Sequence, residues 1–519
     1  MFDVLPAWLK WGIGIVALLG AYEIVRDLLL RAFQRRMRRS VDRTIREKGV
    51  RLDRFKFTQK FLIRDEILND VEVNAAIIER ASETGGRVDD IREEVDGYID
   101  EIVPAFNLVS YYRLGASVAR LFMNWVYSVV TDEIHVDARS KIPEDAALVY
   151  ISNHRSNVDY VAIPYTLIDE ISLSYATGEW ARVWPLESLF KSFGAYFVRR
   201  GFPDPLYHLV LEKYVQLITR HGVTQGIFLE GGLSRDGKLR QPKIGILDYL
   251  VKMNADPSMT RDLVIVPVGI NYDRVLEDEV LLGEALKGRE KSGFRANLKS
   301  FVKVAAGAPW ILAVNILRRF RGYKRRHGYA SVSFGNPIST NKWLKSLNED
   351  IFLLSREERR KKIKDFADIL ISKIARSIPI TPVPLVSHLL MGQKGNGTTR
   401  TTLLHDLVAA RRHLIEVGAP VVMGEEFAAS RLGRQRLDEE RDSRLQDLVD
   451  FEESFLDIEE ARETLKIALG ILGRRKIIRL KGDEILVDPS RKSLLGYYAG
   501  SISHYFDPAV TADDLEVSI

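Results

Sequence analysis

From about Thr131 onward the chain alternates short apolar runs with helical patterns, and that alternation limits its fold more than any other feature. Six runs read as strands, at 146–152, 171–177, 195–199, 224–230, 263–270 and 329–334, and helical segments such as 205–220 separate most of them. Strands and helices in this order predict an α/β layer, with a mixed, largely parallel sheet flanked by helices. Sites in such sheets form beyond the carboxyl ends of strands, and His154, Arg199 and Glu230 all stand at such ends.

The stretch "YISNHRSNVDYVAIPY" (150–165) carries the first chemistry. A neutral imidazole at the end of a strand can take a proton from an alcohol that attacks a carbonyl. It needs a partner to hold its tautomer, and a carboxylate on Nδ1 does so. With Asp159 in the first turns of the next helix, the chain can fold back so that His154 and Asp159 meet, and Ser156 and Asn157 are plausible capping residues in that turn. By itself the spacing is weak, since a turn histidine and a capping aspartate give the same pattern.

Three later stretches add to it. "GAYFVRRG" (194–201) ends a strand in Arg199 and Arg200, whose planar forks suit a phosphate. "IFLEGGLSRDGKL" (227–239) ends another in Glu230, then Gly231, Gly232, Ser234, Arg235 and Lys238, and paired glycines let backbone N–H groups approach a ligand. "IVPVGINYDR" (265–274) is a further buried strand with a proline inside it, unusual for a central strand. No G-x-G-x-x-G or G-x-x-x-x-G-K-[ST] follows a strand, which argues against a nucleotide-binding enzyme.

In order and separation, "NHRSNVDY", "GAYFVRR", "FLEGGLSRDGK" and "VPVGINYDR" resemble the four sequence blocks of the glycerolipid acyltransferases. The forms "GAYFVRR" and "EGGLSRDGK", with Pro242, Lys243 and Gly245 after them, are most similar to the bacterial membrane-type glycerol-3-phosphate 1-O-acyltransferases. They are less similar to the lysophosphatidate acyltransferases, and the resemblance covers most of the chain after about Leu68. It implies the glycerolipid acyltransferase fold and transfer of an acyl group from acyl-CoA or acyl-ACP to the 1-hydroxyl of glycerol 3-phosphate. That reaction gives lysophosphatidic acid, the first step of phospholipid synthesis. His154 would take the hydroxyl proton with Asp159 orienting the ring. Arg199, Arg200, Arg235 and Lys238 would hold the phosphate. Glu230, Gly231, Gly232 and Ser234 would line the substrate or the developing oxyanion. Attack would be direct, with neither an acyl-enzyme nor a metal, and with no cofactor beyond the acyl carrier. One departure stands out: Leu233 occupies a position that is usually basic in the family, which leaves dihydroxyacetone phosphate or lysophosphatidate open as acceptors.

The flanks and the composition complete the expectation. "WGIGIVALLGAY" (11–22) is free of charge and the basic "RRMRR" (35–39) follows it, a pattern that predicts a membrane anchor over residues 1–34 facing the anionic cytoplasmic leaflet. The run is short beside the roughly 20 residues a span needs, so it crosses at a tilt or lies in the interface. Residues 35–106 read as a helical region, 107–345 as the acyltransferase domain and 346–519 as a helical C-terminal region, with a hairpin in "KIIRLKGDEILV" (476–487). Within 107–345, the stretch 108–130 reads as a core helix or one lying on lipid, and within 346–519 "SIPITPVPLV" (377–386) reads as a stiff packed linker. With 76 basic and 71 acidic residues the charge is nearly balanced, unlike a general nucleic-acid binder. The chain has no cysteine, which excludes a thiolate nucleophile and a disulfide framework. Intact His154, Asp159 and Glu230 argue against a catalytically silent membrane scaffold.

Overall fold

The computed structural model describes residues 55, 60–104, 115–132, 142–167, 173–178, 187, 190–191, 194–199, 201–286, 327–422 and 446–507. The expected anchor (1–34), the basic clusters at 35–39 and 318–326, the start of the 108–130 stretch and Arg200 lie outside the described residues.

Eight strands form the main sheet: β1 (Ser128–Asp132), β2 (Ala147–Ser152), β3 (Ser174–Gly178), β4 (Tyr196–Val198), β5 (Gln225–Phe228), β6 (Leu263–Tyr272), β7 (Tyr329–Phe334) and β8 (Ile338–Ser339). Their order is β1-β7-β6-β2-β5-β3-β4, with β8 beside β6. All neighbours are parallel except β6 with β7 and β6 with β8, so the sheet is mixed and largely parallel as expected. A second sheet joins β9 (Gly397–Thr399) to a hairpin of β10 (Ile478–Lys481) and β11 (Glu484–Val487). The hairpin expected over 476–487 forms, and it turns at Gly482.

The described helices are α1 (Lys60–Leu68), α2 (Val71–Thr84), α3 (Val88–Ile102), α4 (Ala116–Val126), α5 (Asp159–Leu167), α6 (Pro205–Arg220), α7 (Gly245–Lys252), α8 (Asp278–Leu286), α9 (Thr340–Ser346), α10 (Arg356–Ser377), α11 (Pro382–Gly392), α12 (Arg400–Glu416), α13 (Gln446–Arg474) and α14 (Lys492–Gly500).

Both faces of the sheet are covered. β2 and β6 are buried at every position, as a parallel sheet between two helical layers requires. The period-2 alternation sorts their side chains: Leu148, Tyr150, Val266 and Val268 enter one apolar cluster, while Val149, Ile151, Leu263 and Ile265 enter the other. The second cluster is closed by α1–α3, α6, α7, α9 and α10. The first takes in α4, α5 and, from the C-terminal region, residues of α11–α14 such as Leu385, Leu403, Leu472 and Tyr498. The C-terminal region therefore shares a core with the sheet that carries His154.

A buried polar clamp reinforces that contact. The Arg475 guanidinium forks onto the Asp278 carboxylate at the start of α8, with Nη2 3.0 Å from Oδ1 and Nη1 on Oδ2. The Tyr498 hydroxyl donates to the same carboxylate and accepts from Arg475 Nη1 at 2.9 Å.

Two readings need correction. The 108–130 stretch is not helical to its end: α4 stops at Val126 and β1 begins at Ser128, paired with β7 from Ser128↔Tyr329 onward. Tyr127 anchors the switch, with its buried hydroxyl donating to the Arg274 carbonyl at 2.7 Å, and the β-branched Val129, Val130 and Thr131 suit the strand. The 377–386 stretch is only half a linker. Residues 378–381 are extended, and Pro382 then opens α11 at its first position, where no N–H is needed.

Pro267 fits a central strand because it sits at a seam. Its carbonyl accepts the Gly335 N–H at 2.8 Å, so its missing N–H faces the same side, between the end of β7 and the start of β8.

Candidate active site

Because β2, β5 and β6 run parallel, their carboxyl ends share one edge of the sheet, and the site is built there. The β2–β6 ladder ends at Ser152↔Val268. Asn153 extends it with its side chain: Nδ2 donates to the Ile270 carbonyl at 2.9 Å and Oδ1 accepts the Ile270 N–H at 2.8 Å. The residue that follows, His154, therefore leaves the strand at a fixed angle.

Asp159 at the start of α5 turns back into the loop. Its Oδ2 accepts the N–H of Arg155 at 2.7 Å and of Ser156 at 3.0 Å, and lies 2.8 Å from His154 Nδ1. Its Oδ1 accepts the Tyr272 hydroxyl at 2.6 Å. An acceptor-only carboxylate places the proton on Nδ1 and the basic lone pair on Nε2. The imidazole is stacked on Phe228, centroids 4.0 Å apart, with Tyr160 edge-on at 5.4 Å. Burial beside Asp159 pushes the Tyr272 hydroxyl well above its ordinary range, so it stays a donor.

Glu230 ties the loop after β5 to this turn. Its Oε1 accepts the His154 N–H and its Oε2 the Arg240 N–H, each at 2.8 Å. Above it Ser234 donates its N–H to the His154 carbonyl at 2.9 Å, while its Oγ donates to the Lys238 carbonyl at 2.7 Å. Gly231 (φ 65°) and Gly237 (φ 84°) both take left-handed backbone. At Gly237 a Cβ would lie 1.8 Å from the Tyr497 carbonyl, so α14 packs directly on this loop. Gly232 is buried beneath it.

The expected cations are spread out. Arg199 departs from its expected role: Nε and Nη2 grip buried Glu101 at 2.8 and 2.5 Å, and the guanidinium lies over the Phe202 ring at 4.6 Å, on the opposite face of the sheet from the His154 ring. A fork that fits a phosphate fits a carboxylate equally well, and here α3 supplies the carboxylate. Arg235 is half exposed and pairs with Glu284 at 3.3 Å. Lys238 is exposed on the same loop. Leu233, at the usually basic position, packs against the apolar cluster shared with the C-terminal region.

Three contributors escaped the sequence reading. Tyr272 was visible only as part of a strand. Glu277 is partly buried and accepts from Ser156 Oγ at 2.7 Å and Asn157 N at 3.2 Å, bracing the turn that Ser156 and Asn157 were expected to cap. Arg155, beside His154 in "NHRSN", turns inward and is 2% exposed. Among the described residues no three His, Asp or Glu side chains converge as metal ligands.

Burial lifts two carboxyls, Glu230 and Asp273, to about 7. Each then binds its proton more tightly in the folded than in the unfolded chain. Their contribution to stability is present below the unfolded carboxylate pKa of about 4.5 and is lost as pH climbs towards 7. Urea unfolding at stepped pH should show stability falling across that window by up to about 1.4 kcal/mol per pH unit and group. In Glu230→Gln the fall should be shallower. A flat profile from pH 5 to 7 would contradict the shifts.

Residues 133–271, which hold β2 to β6 with His154, Asp159 and the Glu230 loop, match the family described as Acyltransferase. Residues 313–445 match the family described as Glycerol-3-phosphate acyltransferase C-terminal region. The chain is thus similar to acyltransferases over the residues that carry the site, and to glycerol-3-phosphate acyltransferases over a stretch that reaches into its C-terminal region. Among curated relatives, a glycerol-3-phosphate acyltransferase of Aeromonas hydrophila subsp. hydrophila is 28% identical over 363 residues, 67% of this chain and 42% of its own length. One of Haemophilus influenzae (strain PittEE) is 26% identical over 68% of this chain and 42% of its own length. One of Actinobacillus pleuropneumoniae serotype 3 is 25% identical over 85% and 48%. The chain thus spans less than half the length of these acyltransferases. Among solved structures, a 1-acyl-sn-glycerophosphate acyltransferase from Thermotoga maritima matches at 16% identity and a TM-score of 0.27, covering 50% of this chain and 79% of that one, a superposition too loose to bear on the fold.

Proposed function

We propose that this protein transfers an acyl group from an acyl thioester, on coenzyme A or acyl carrier protein, to the 1-hydroxyl of sn-glycerol 3-phosphate, giving lysophosphatidic acid. The observation that carries this reading is the 2.8 Å contact between His154 Nδ1 and Asp159 Oδ2 at the pinned end of β2. His154 Nε2 takes the hydroxyl proton as the oxygen attacks the thioester carbonyl. The imidazolium formed is stabilised by Asp159, itself held by Tyr272 and two backbone N–H groups. Collapse of the tetrahedral adduct breaks the C–S bond, and the departing thiolate recovers the proton from Nε2. No cofactor besides the acyl carrier enters the scheme.

The setting is proposed to be the cytoplasmic face of a membrane. In support, residues 1–34 have the composition of an anchor, and α4 exposes Val118 and Leu121. No described helix is long and apolar enough to cross a membrane. The anchor and any further partner stand as parts of the proposal.

Leu233 favours testing other acceptors alongside. The purified chain, supplied with palmitoyl-CoA or palmitoyl-ACP, is offered glycerol 3-phosphate, dihydroxyacetone phosphate and lysophosphatidate in parallel. Glycerol 3-phosphate is expected to give the highest kcat/KM. A preference of tenfold or more for another acceptor would move the assignment to that substrate, and acylation of none would overturn it.

A further inference from the structure

Arg155 is the least accounted-for charge near the site. Its Nη1 donates to the Gly237 carbonyl, while Nε and Nη2 are buried without a hydrogen-bond partner. These two atoms are the side edge of the guanidinium, the edge with which Arg199 grips Glu101. An edge of this kind takes two oxygens of one anion. The ring of Tyr497, from α14, lies 5.1 Å from the Arg155 guanidinium carbon. The Tyr497 hydroxyl is likewise buried without a partner. Three donors in one buried place therefore lack acceptors, an arrangement that costs stability until something supplies them.

No described carboxylate fills that need. Glu230 lies close enough to feel the charge of Arg155, but its two oxygens are taken by the N–H groups of His154 and Arg240. Above Arg155 lies the loop carrying Gly237 and exposed Lys238, and one residue before it in the chain is His154.

We infer that Arg155 and Tyr497 form a buried phosphate-monoester site beside His154, and that its ligand is the phosphate of the acceptor. The acceptor's identity rests on the function proposed above; the anion site does not. The bidentate edge of Arg155 takes two phosphate oxygens and Tyr497 donates to a third. The loop holding Gly237 must lift for the anion to enter, and the Lys238 ammonium then closes over it. The C-terminal region thereby contributes directly to acceptor recognition.

The test uses the full chain with Arg155→Gln, Arg155→Lys and Tyr497→Phe. Charge-assisted hydrogen bonds of this type are worth about tenfold to a hundredfold in affinity. Arg155→Gln is expected to raise the KM for glycerol 3-phosphate by that factor and leave the KM for acyl-CoA unchanged. Arg155→Lys should fall between, and Tyr497→Phe, which keeps the ring and its packing, should cost about threefold to tenfold. Inorganic phosphate should bind the wild type in calorimetry and compete with glycerol 3-phosphate, and should do neither in Arg155→Gln. If Arg155→Gln fails to fold, Arg155→Lys and Tyr497→Phe decide. An unchanged acceptor KM in all three variants overturns the inference, as does an equal rise for both substrates. If the KM rises for acyl-CoA but not for acyl-pantetheine, the site reads a donor phosphate and the acceptor assignment is wrong. If the wild type binds inorganic phosphate through Arg155 yet acylates no phosphorylated acceptor, the anion site stands and the proposed reaction falls.

Discussion

Replacing His154 with alanine is expected to lower kcat for acyl transfer about 10²- to 10⁴-fold, the range a positioned general base contributes. The fold should survive, because the bonds that fasten this position are made by its backbone: the N–H to Glu230 and the carbonyl to Ser234. The lost ring leaves space against Phe228 and Tyr160, so a lower unfolding midpoint should accompany the kinetic loss. Purified His154→Ala with wild-type kcat and a cooperative unfolding transition would remove the imidazole from the mechanism. Asp159→Ala should be worse for the fold, because that carboxylate collects four donors from two segments of the chain, the 154–156 turn and β6.

The second large effect belongs to stability. Arg475→Met strips the guanidinium from Asp278 and Tyr498, leaving a buried carboxylate that is 2% exposed and has lost its charge partner. Breaking a buried pair from one side costs about 3–5 kcal/mol, which denaturant unfolding of the purified chain would read directly. Activity should fall with it, since α14 carries both Tyr498 and Tyr497. A change below about 1 kcal/mol would mean that solvent reaches Asp278 and replaces the arginine.

The main sheet was legible because apolar runs and helical segments alternate, and six of its strands were placed to within a few residues. The meeting of His154 and Asp159 was legible because a strand end, a short turn and a helix start leave little freedom. β1 was not, because Tyr127 and the valines after it continue the apolar pattern of α4, and only β7, far along the chain, shows that they are extended. Arg199 misled because nothing near it in sequence reveals Glu101. Arg155 was passed over for the converse reason: what makes it unusual is a ring on α14 and the carbonyl of Gly237, neither of which a local pattern discloses.

The packing of α14 against Gly237 also sets the order in which the protein can begin to work. During synthesis the ribosome releases His154 and Asp159 long before Tyr497, and the loop at Gly237 waits with them. A nascent chain stalled anywhere before α14 therefore holds the His154–Asp159 pair with the loop at Gly237 still lacking the helix that packs on it.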